Sequence, residues 1–387
     1  MGTERPYDLV LLGATGFTGR LVAAHLAGRT GGVSWAIAGR DHAALSTMVD
    51  ELAPRSGGSR PAVEVVDVHD LVGLLDLAAR TRVLATTVGP YRDHGELVAQ
   101  ACVRRGTHYA DITGESSFVD LLRSRYDADA VRAGVKLVTC CGFESVPHDL
   151  GVRFTVGLLP DGAPMTVRAY VSAHGRMSGG TALTALGALA DRTPRASRPD
   201  RAGAAAQRPV AALPARIHRV PDLGSWAVPL PTVDPKIVLR SAQVLDGYGT
   251  AFRYGHFAQV SRLSTAIAGV GATGLAAALS RVAPTRALLE RLLPDPGQGP
   301  DEETRARSHF AVTFLGEAAG SRVVTRVRGG DPGYSETARM LGEAALTLAA
   351  EEVAPDVAGV VTPAVGLGAP YRGRLRSQGL VFEILAR

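Results

Sequence analysis

The chain has 387 residues, of which 46% are hydrophobic and 20% charged, and its formal net charge is +5. That length allows two or three domains with sizeable cores, and the composition is that of a globular protein, not of a disordered or fibrous one. The 42 basic and 37 acidic residues are mixed along the chain without a Lys/Arg run, which argues against nucleic acid as a partner and leaves room for anionic cofactors.

The first predicted element is a short apolar strand, Leu9 to Leu12, of the kind buried in parallel sheets. Gly13, Gly16 and Gly19 follow, and then Leu21, Val22 and Leu26 at helical spacing. Strand, glycine turn and helix together form the context of a dinucleotide-binding fingerprint. Gly13 permits the tight turn, Gly16 lets backbone approach a pyrophosphate, and Gly19 lets the helix pack close on the strand. The helix start offers free N–H groups and the positive end of a dipole to phosphates. Gly13, Ala14, Thr15, Gly16, Phe17, Thr18 and Gly19 are therefore candidate cofactor-binding residues. The spacing is GxxGxxG, not GxGxxG, so an ordinary strand-to-helix turn is the competing explanation.

The second strand, 34–38, ends in Gly39-Arg40 where an NAD-binding chain would carry an acid for the ribose 2′-hydroxyl. A guanidinium there suits a 2′-phosphate, so the cofactor is read as NADPH. A merely solvated Arg40 is the alternative, and Asp41 competes for the ribose unless it caps the helix predicted over 42–53. A Ser/Gly loop at 56–59 precedes a third strand at 63–66, whose C-terminal Asp67 either contacts adenine or caps the helix over 70–79. The fourth strand, 83–88, runs into Val88, Gly89 and Pro90, which expose backbone where the reactive half of the cofactor is expected. Tyr91 beside them either donates a proton or packs. After a helix at 95–105, the fifth strand at 108–111 leads through Asp111 to Glu115; the two acids either orient substrate or hold the loop, and Glu115 is read as loop structure. A helix at 117–132 and a sixth strand at 135–139 complete a parallel, doubly wound sheet. The chain then passes Cys140 and Cys141 to Glu144, Ser145, Pro147 and His148. Pro147 suits a helix's first turn. Ser145 and His148 are candidate catalytic groups, His148 because imidazole titrates near neutrality; a structural histidine is the alternative. Cys102, Cys140 and Cys141 make an odd count without CxxC, so neither disulfides nor a metal site are expected, and reduced thiols of a cytoplasmic protein without a signal peptide fit.

Beyond Gly151 the pattern turns α+β. A strand is predicted over 167–173, a helix from Ser178-Gly-Gly-Thr181 to Ala190, an aperiodic loop over 191–214 and further strands within 226–240. Tyr248, Phe252, Tyr254, His256 and Phe257 form the densest aromatic cluster, either domain core or the wall of an acyl pocket. Leu263 to Ser280 carries little charge and is rich in Ala, Gly, Ser and Thr, so it reads as a buried or lipid-apposed helix, not a span. Strands over 308–315 and 321–328 extend a sheet that could carry a homodimer interface. A helix from Ser335 to about Glu351 and a final helix and strand from Tyr371 are expected to fold back on the first domain. The organisation is thus a Rossmann-type domain over 1–150, an α+β domain over 151–330 and a returning segment over 331–387.

Gly13-Ala-Thr-Gly-Phe-Thr-Gly19, Gly89-Pro-Tyr91, Tyr109-Ala-Asp-Ile-Thr-Gly-Glu115 and Gly142-Phe-Glu-Ser-Val-Pro147 with Asp149 resemble the saccharopine dehydrogenase-like oxidoreductases. Within them the chain is most similar to the actinobacterial trans-acting enoyl reductases. Ser178-Gly-Gly-Thr181, Phe252-Arg-Tyr-Gly-His256, Gly333-Tyr334, Glu343-Ala-Ala-Leu346 and Val361-Thr-Pro363 extend the likeness through both halves. The resemblance implies reduction of an α,β-unsaturated acyl thioester held on a polyketide synthase or carrier protein. Tyr91, Ser145 and His148 then become candidates for the hydrogen-bond donor or acid, by position. No arginine cluster is placed to hold the two amino-acid carboxylates of saccharopine chemistry. Reduction of a C=N or C=O group in a small metabolite, or a non-catalytic lipid-associated role, are the alternatives.

Overall fold

The computed structural model describes residues 5–29, 31–55, 59–174, 208–230, 232–264, 299–350 and 357–387. The chain divides into two compact units, one of Met1–Phe143 with Tyr334–Gln378, the other of Glu144–Gly333 with Gly379–Arg387.

The first unit alternates strand and helix: β1 Tyr7–Leu12, α1 Phe17–Ala27, β2 Trp35–Gly39, α2 His42–Leu52, β3 Ala62–Val65, α3 Leu71–Ala79 and β4 Thr81–Thr86. Then come α4 Tyr91–His94, α5 Glu96–Arg105, β5 His108–Asp111, α6 Ser116–Ala133 and β6 Lys136–Val138. The sheet runs β3-β2-β1-β4-β5-β6, with the strand Gly359–Val361 added beyond β6. Every pairing in it is parallel. The strand order reverses between β1 and β4, and nucleotides bind open sheets at the carboxyl ends flanking such a reversal. The strands are apolar on both faces because helices cover both, and Val10, Leu12, Leu84, Tyr109 and Phe118 pack into one core cluster.

The helix Ser335–Ala349 lies against α1, β1, β4 and β5 of this unit. Its buried Glu343 receives His25 Nε2 at 2.9 Å and Arg29 Nε at 3.1 Å from the α1 region. Gly342 is what lets the helices approach, since a Cβ there would stand 2.7 Å from the His25 ring.

The second unit starts with α7 Val146–Val156, followed by β7 Met165–His174, β8 Val210–Ala212, β9 His218–Val220 and β10 Ser225–Pro229. It continues with α8 Asp234–Val244, β11 Phe252–Val260, the short α9 Glu302–Arg307, β12 His309–Ala318 and β13 Ser321–Gly329. Its mixed sheet runs β13-β12-β7-β11-β10-β9, with β8 also on β11 and the strand Val381–Ala386 outside β13. α7 packs on β7, β12 and β13, while α8 packs on β11 and on α7. Contact is close enough that a Cβ on Gly151 would come within 2.4 Å of the Phe314 ring.

Three expectations change. Residues 226–240 are one strand and then a helix, because Asp234-Pro235 starts α8 with proline in its first turn. The returning segment divides: Tyr334–Gln378 belongs to the first unit, but Val381–Ala386 pairs antiparallel with β13 of the second. The first unit ends at Phe143, so α7 with His148 lies wholly in the second. The helix expected from Ser178 and most of the 191–214 and 263–280 stretches lie outside the described residues. Among the described residues, no helix is long and apolar enough to cross a membrane.

Candidate functional site: the glycine turn and its surroundings

The three glycines after β1 are required for different reasons. Gly13 takes φ +85°, a conformation L side chains rarely adopt, and a Cβ there would meet Val88 Cγ2 at 2.6 Å. Gly19 packs its bare Cα against the turn, and a Cβ would lie 2.1 Å from the Gly13 carbonyl oxygen. The fold itself therefore demands both.

Gly16 is another matter. Its φ of −70° and ψ of 164° suit any residue, and the nearest atom to a Cβ built there is 3.4 Å away. It is exposed and occupies the N-cap of α1, where no side chain caps the helix and no acidic residue sits in the first turn. The neighbouring helices are treated otherwise: Asp41 caps α2 by accepting from the Ala44 N–H at 3.0 Å, and Asp70 caps α3 by accepting from Val72. An aspartate or serine at position 16 would stabilise α1. Glycine keeps the amide end of the helix open and free of negative charge, which a diphosphate needs. Thr15 turns its carbonyl to Arg20 Nε, Thr18 sits in the first turn of α1, Ala14 is buried, and Phe17 meets the Tyr334 ring edge-on at 4.8 Å.

Arg40 follows β2 directly and is exposed. Asp41 beside it caps α2. Asp67 accepts from the His69 N–H at 2.8 Å and shapes the turn after β3, while the cap that sequence reasoning allowed it falls to Asp70. Val88 is half-buried against Gly13, and Gly89-Pro90 is exposed with a cis peptide bond. Tyr91 is buried, and its hydroxyl donates to the Thr86 carbonyl at 3.0 Å. The Glu115 carboxylate accepts from the Tyr91 and Arg92 amides at 2.8 and 3.1 Å, clamping the start of α4. Asp111, fully buried, accepts from the Thr113 and Cys140 amides at 3.0 and 2.9 Å. Burial pushes its carboxyl up to about 6 against the pull of those two amides.

In the second unit Ser145 precedes α7 and is buried, as is His148. His148 Nδ1 lies 3.0 Å from Asp234 Oδ1, and His256 Nε2 lies 3.6 Å from the other oxygen, Oδ2. Sequence reasoning singled out both histidines but not Asp234, whose helix it read as strand. Among the described residues no group of three or more His, Cys, Asp or Glu is placed to hold a metal ion.

Residues 9–138 match the saccharopine dehydrogenase NADP-binding domain. The chain is 36% identical to a Mycobacterium tuberculosis protein carrying the name trans-acting enoyl reductase, over 98% of both chains. It is 33% identical to a trans-acting enoyl reductase of Mycobacterium ulcerans, over 98% of this chain and 97% of that one. This chain belongs to the trans-acting enoyl reductase family. Saccharopine dehydrogenase (L-Glu forming) from Saccharomyces cerevisiae shares the fold across 98% of this chain and 99% of its own, with a TM-score of 0.55 at 14% identity. Membership makes the protein an oxidoreductase with an NADP-binding domain of the saccharopine dehydrogenase type. Gly13 to Gly19, Arg40, Asp67 and Val88 to Pro90 all fall inside that domain, whereas Ser145 and His148 fall beyond it.

Proposed function

We propose that the protein is an NADPH-dependent trans-acting enoyl reductase whose substrate is an α,β-unsaturated acyl thioester borne on a carrier protein of a polyketide synthase. The observation that carries this reading is the likeness to enoyl reductases through nearly the whole of both chains. An open, uncharged helix end at Gly16 and an exposed guanidinium at Arg40 support the choice of coenzyme. Gly13 to Gly19 would hold the diphosphate, Arg40 the 2′-phosphate, Asp67 the adenosine half, and Val88 to Pro90 the nicotinamide half. Bound NADPH supplies the hydride for the β-carbon of the thioester.

The chain's own residues must then steady charge at the thioester oxygen and deliver a proton to the α-carbon. Ser145 and His148, which follow β6 shortly along the chain, are assigned these tasks. Tyr91 would first have to release the Thr86 carbonyl. NADPH oxidation is expected with a crotonyl-type thioester on a carrier protein and not with free carboxylic acids. Silence across acyl lengths, together with turnover of an imine, would overturn the enoyl reading.

A further inference from the structure

Two histidines of the first unit meet on the carboxyl side of its sheet. His69 belongs to the turn between β3 and α3, and His94 is the last residue of α4. Their nitrogens, His69 Nε2 and His94 Nδ1, lie 3.1 Å apart in a hydrogen bond, with the rings inclined at 72° and their centroids 5.0 Å apart. His69 is exposed and His94 half-buried, so the pair opens to solvent. Among the described residues neither ring makes another hydrogen bond or ion pair. The backbone that carries them is fixed. Asp67 accepts from the His69 N–H at 2.8 Å, Asp70 caps α3, and Glu115 clamps the start of α4.

A hydrogen bond between two solvated imidazoles gains little, because each ring bonds equally well to water. A metal ion gains more from the same arrangement. Zinc holds an imidazole nitrogen at about 2.0–2.1 Å, so two nitrogens on one ion stand about 2.9 Å apart at a right angle and about 3.4 Å at a tetrahedral one. The observed 3.1 Å lies between these. The nitrogen lone pairs lie in the ring planes, so the two planes must also meet at the ion. Inclined rings allow that. His174 and His309, another exposed pair, show the contrast: their rings stack at 10° with centroids 4.8 Å apart, and their lone pairs run in parallel planes.

Charge favours a cation as well. Within two residues of either imidazole stand Asp67, Asp70, Asp93 and Glu96, against Arg92 alone, and Arg92 Nε is 3.5 Å from the Asp93 carboxylate. We propose that His69 and His94 form a binding site for a divalent transition-metal ion of the zinc, nickel or copper class, which imidazole suits. With two protein donors, water completes the shell. On binding, the proton between the rings passes through solvent to the outer nitrogen of the ring that held it. Both rings then coordinate through the nitrogens that face each other, and the ion ties the turn after β3 to α4. The site lies wholly within the first unit and does not depend on the coenzyme or the substrate.

Calorimetric titration of the untagged, full-length protein, free of nucleotide, with zinc chloride tests this. The three cysteines are buried and do not compete. One zinc ion should bind at the pair. His69→Ala and His94→Ala should each weaken that binding at least tenfold, while His309→Ala leaves it unchanged. Hydrogen exchange adds a readout that needs no variant: zinc should slow the amides of residues 68–71 and 92–95 in wild type. No saturable binding to wild type, binding that either the His69 or the His94 variant keeps at wild-type strength, or zinc that slows no amide in those two segments would overturn the proposal.

Discussion

Gly16→Asp should leave the fold intact and remove NADPH binding. The backbone at 16 is extended, exposed and uncrowded, and aspartate is among the best N-cap residues, so melting temperature should hold or rise by the equivalent of a few tenths of a kcal/mol. A carboxylate within about 4 Å of the diphosphate opposes it by roughly 4 kcal/mol at a partly solvated site. Affinity should therefore fall on the order of 100-fold or more. The two readouts move apart, which a folding defect could not produce. Thermal melts without ligand and titration of NADPH fluorescence check them separately. Wild-type affinity in this variant would mean that the phosphates lie elsewhere.

The second large effect concerns stability. Glu343→Ala strips the carboxylate from a buried cluster in which His25, Arg29 and Arg374 converge at 2.9, 3.1 and 3.7 Å. Leaving buried charges without their partner costs about 3–5 kcal/mol. The Arg29 and Arg374 side chains keep 35% and 25% of their exposure, so water relieves part of this, and a loss of about 2–3 kcal/mol is expected. That corresponds to a drop in melting temperature of roughly 4–12 °C for a unit of this size. Burial pushes the Glu343 carboxyl up, yet His25 and Arg29 bring it below its ordinary 4.5. A depressed carboxyl contributes stability that is present above 4.5 and lost as pH falls through its folded value. The gap between wild type and variant should thus be full at neutral pH and close in acid. Chemical denaturation across that range checks both size and direction, and a gap that widened in acid would refute the assignment.

Much of the first unit was legible because its strands are buried on both faces. Leu9-Val-Leu-Leu12 and Val83-Leu-Ala85 are apolar without alternation, and glycines or capping aspartates mark where the helices begin. The second unit was harder. Ile237 and Val238 on α8 are β-branched and read as strand, and only the Asp234-Pro235 start betrays the helix. The glycine turn was visible as a motif, but only the structure separates Gly16 from Gly13 and Gly19 by what each glycine is required to avoid. Tyr91 looked like a proton donor from its place after Gly89-Pro90. Its hydroxyl in fact donates to the carbonyl of Thr86 at the C-terminal end of β4, a partner too local to carry a periodic signal. Asp234 stayed hidden because its contacts with His148 and His256 join positions far apart in the chain, which no spacing rule reaches.

The central claim is that this sheet edge holds a dinucleotide bearing a 2′-phosphate, read by Arg40. Calorimetric titration of wild type and Arg40→Ala with NADPH and with NADH tests it most directly. A charge-assisted pair is worth about 1.5–3 kcal/mol, so wild type should prefer NADPH by roughly ten- to hundredfold, and the variant should bind both coenzymes alike through a weakened NADPH site. Equal heats and affinities for the two coenzymes in wild type, or an undiminished preference in Arg40→Ala, would contradict it.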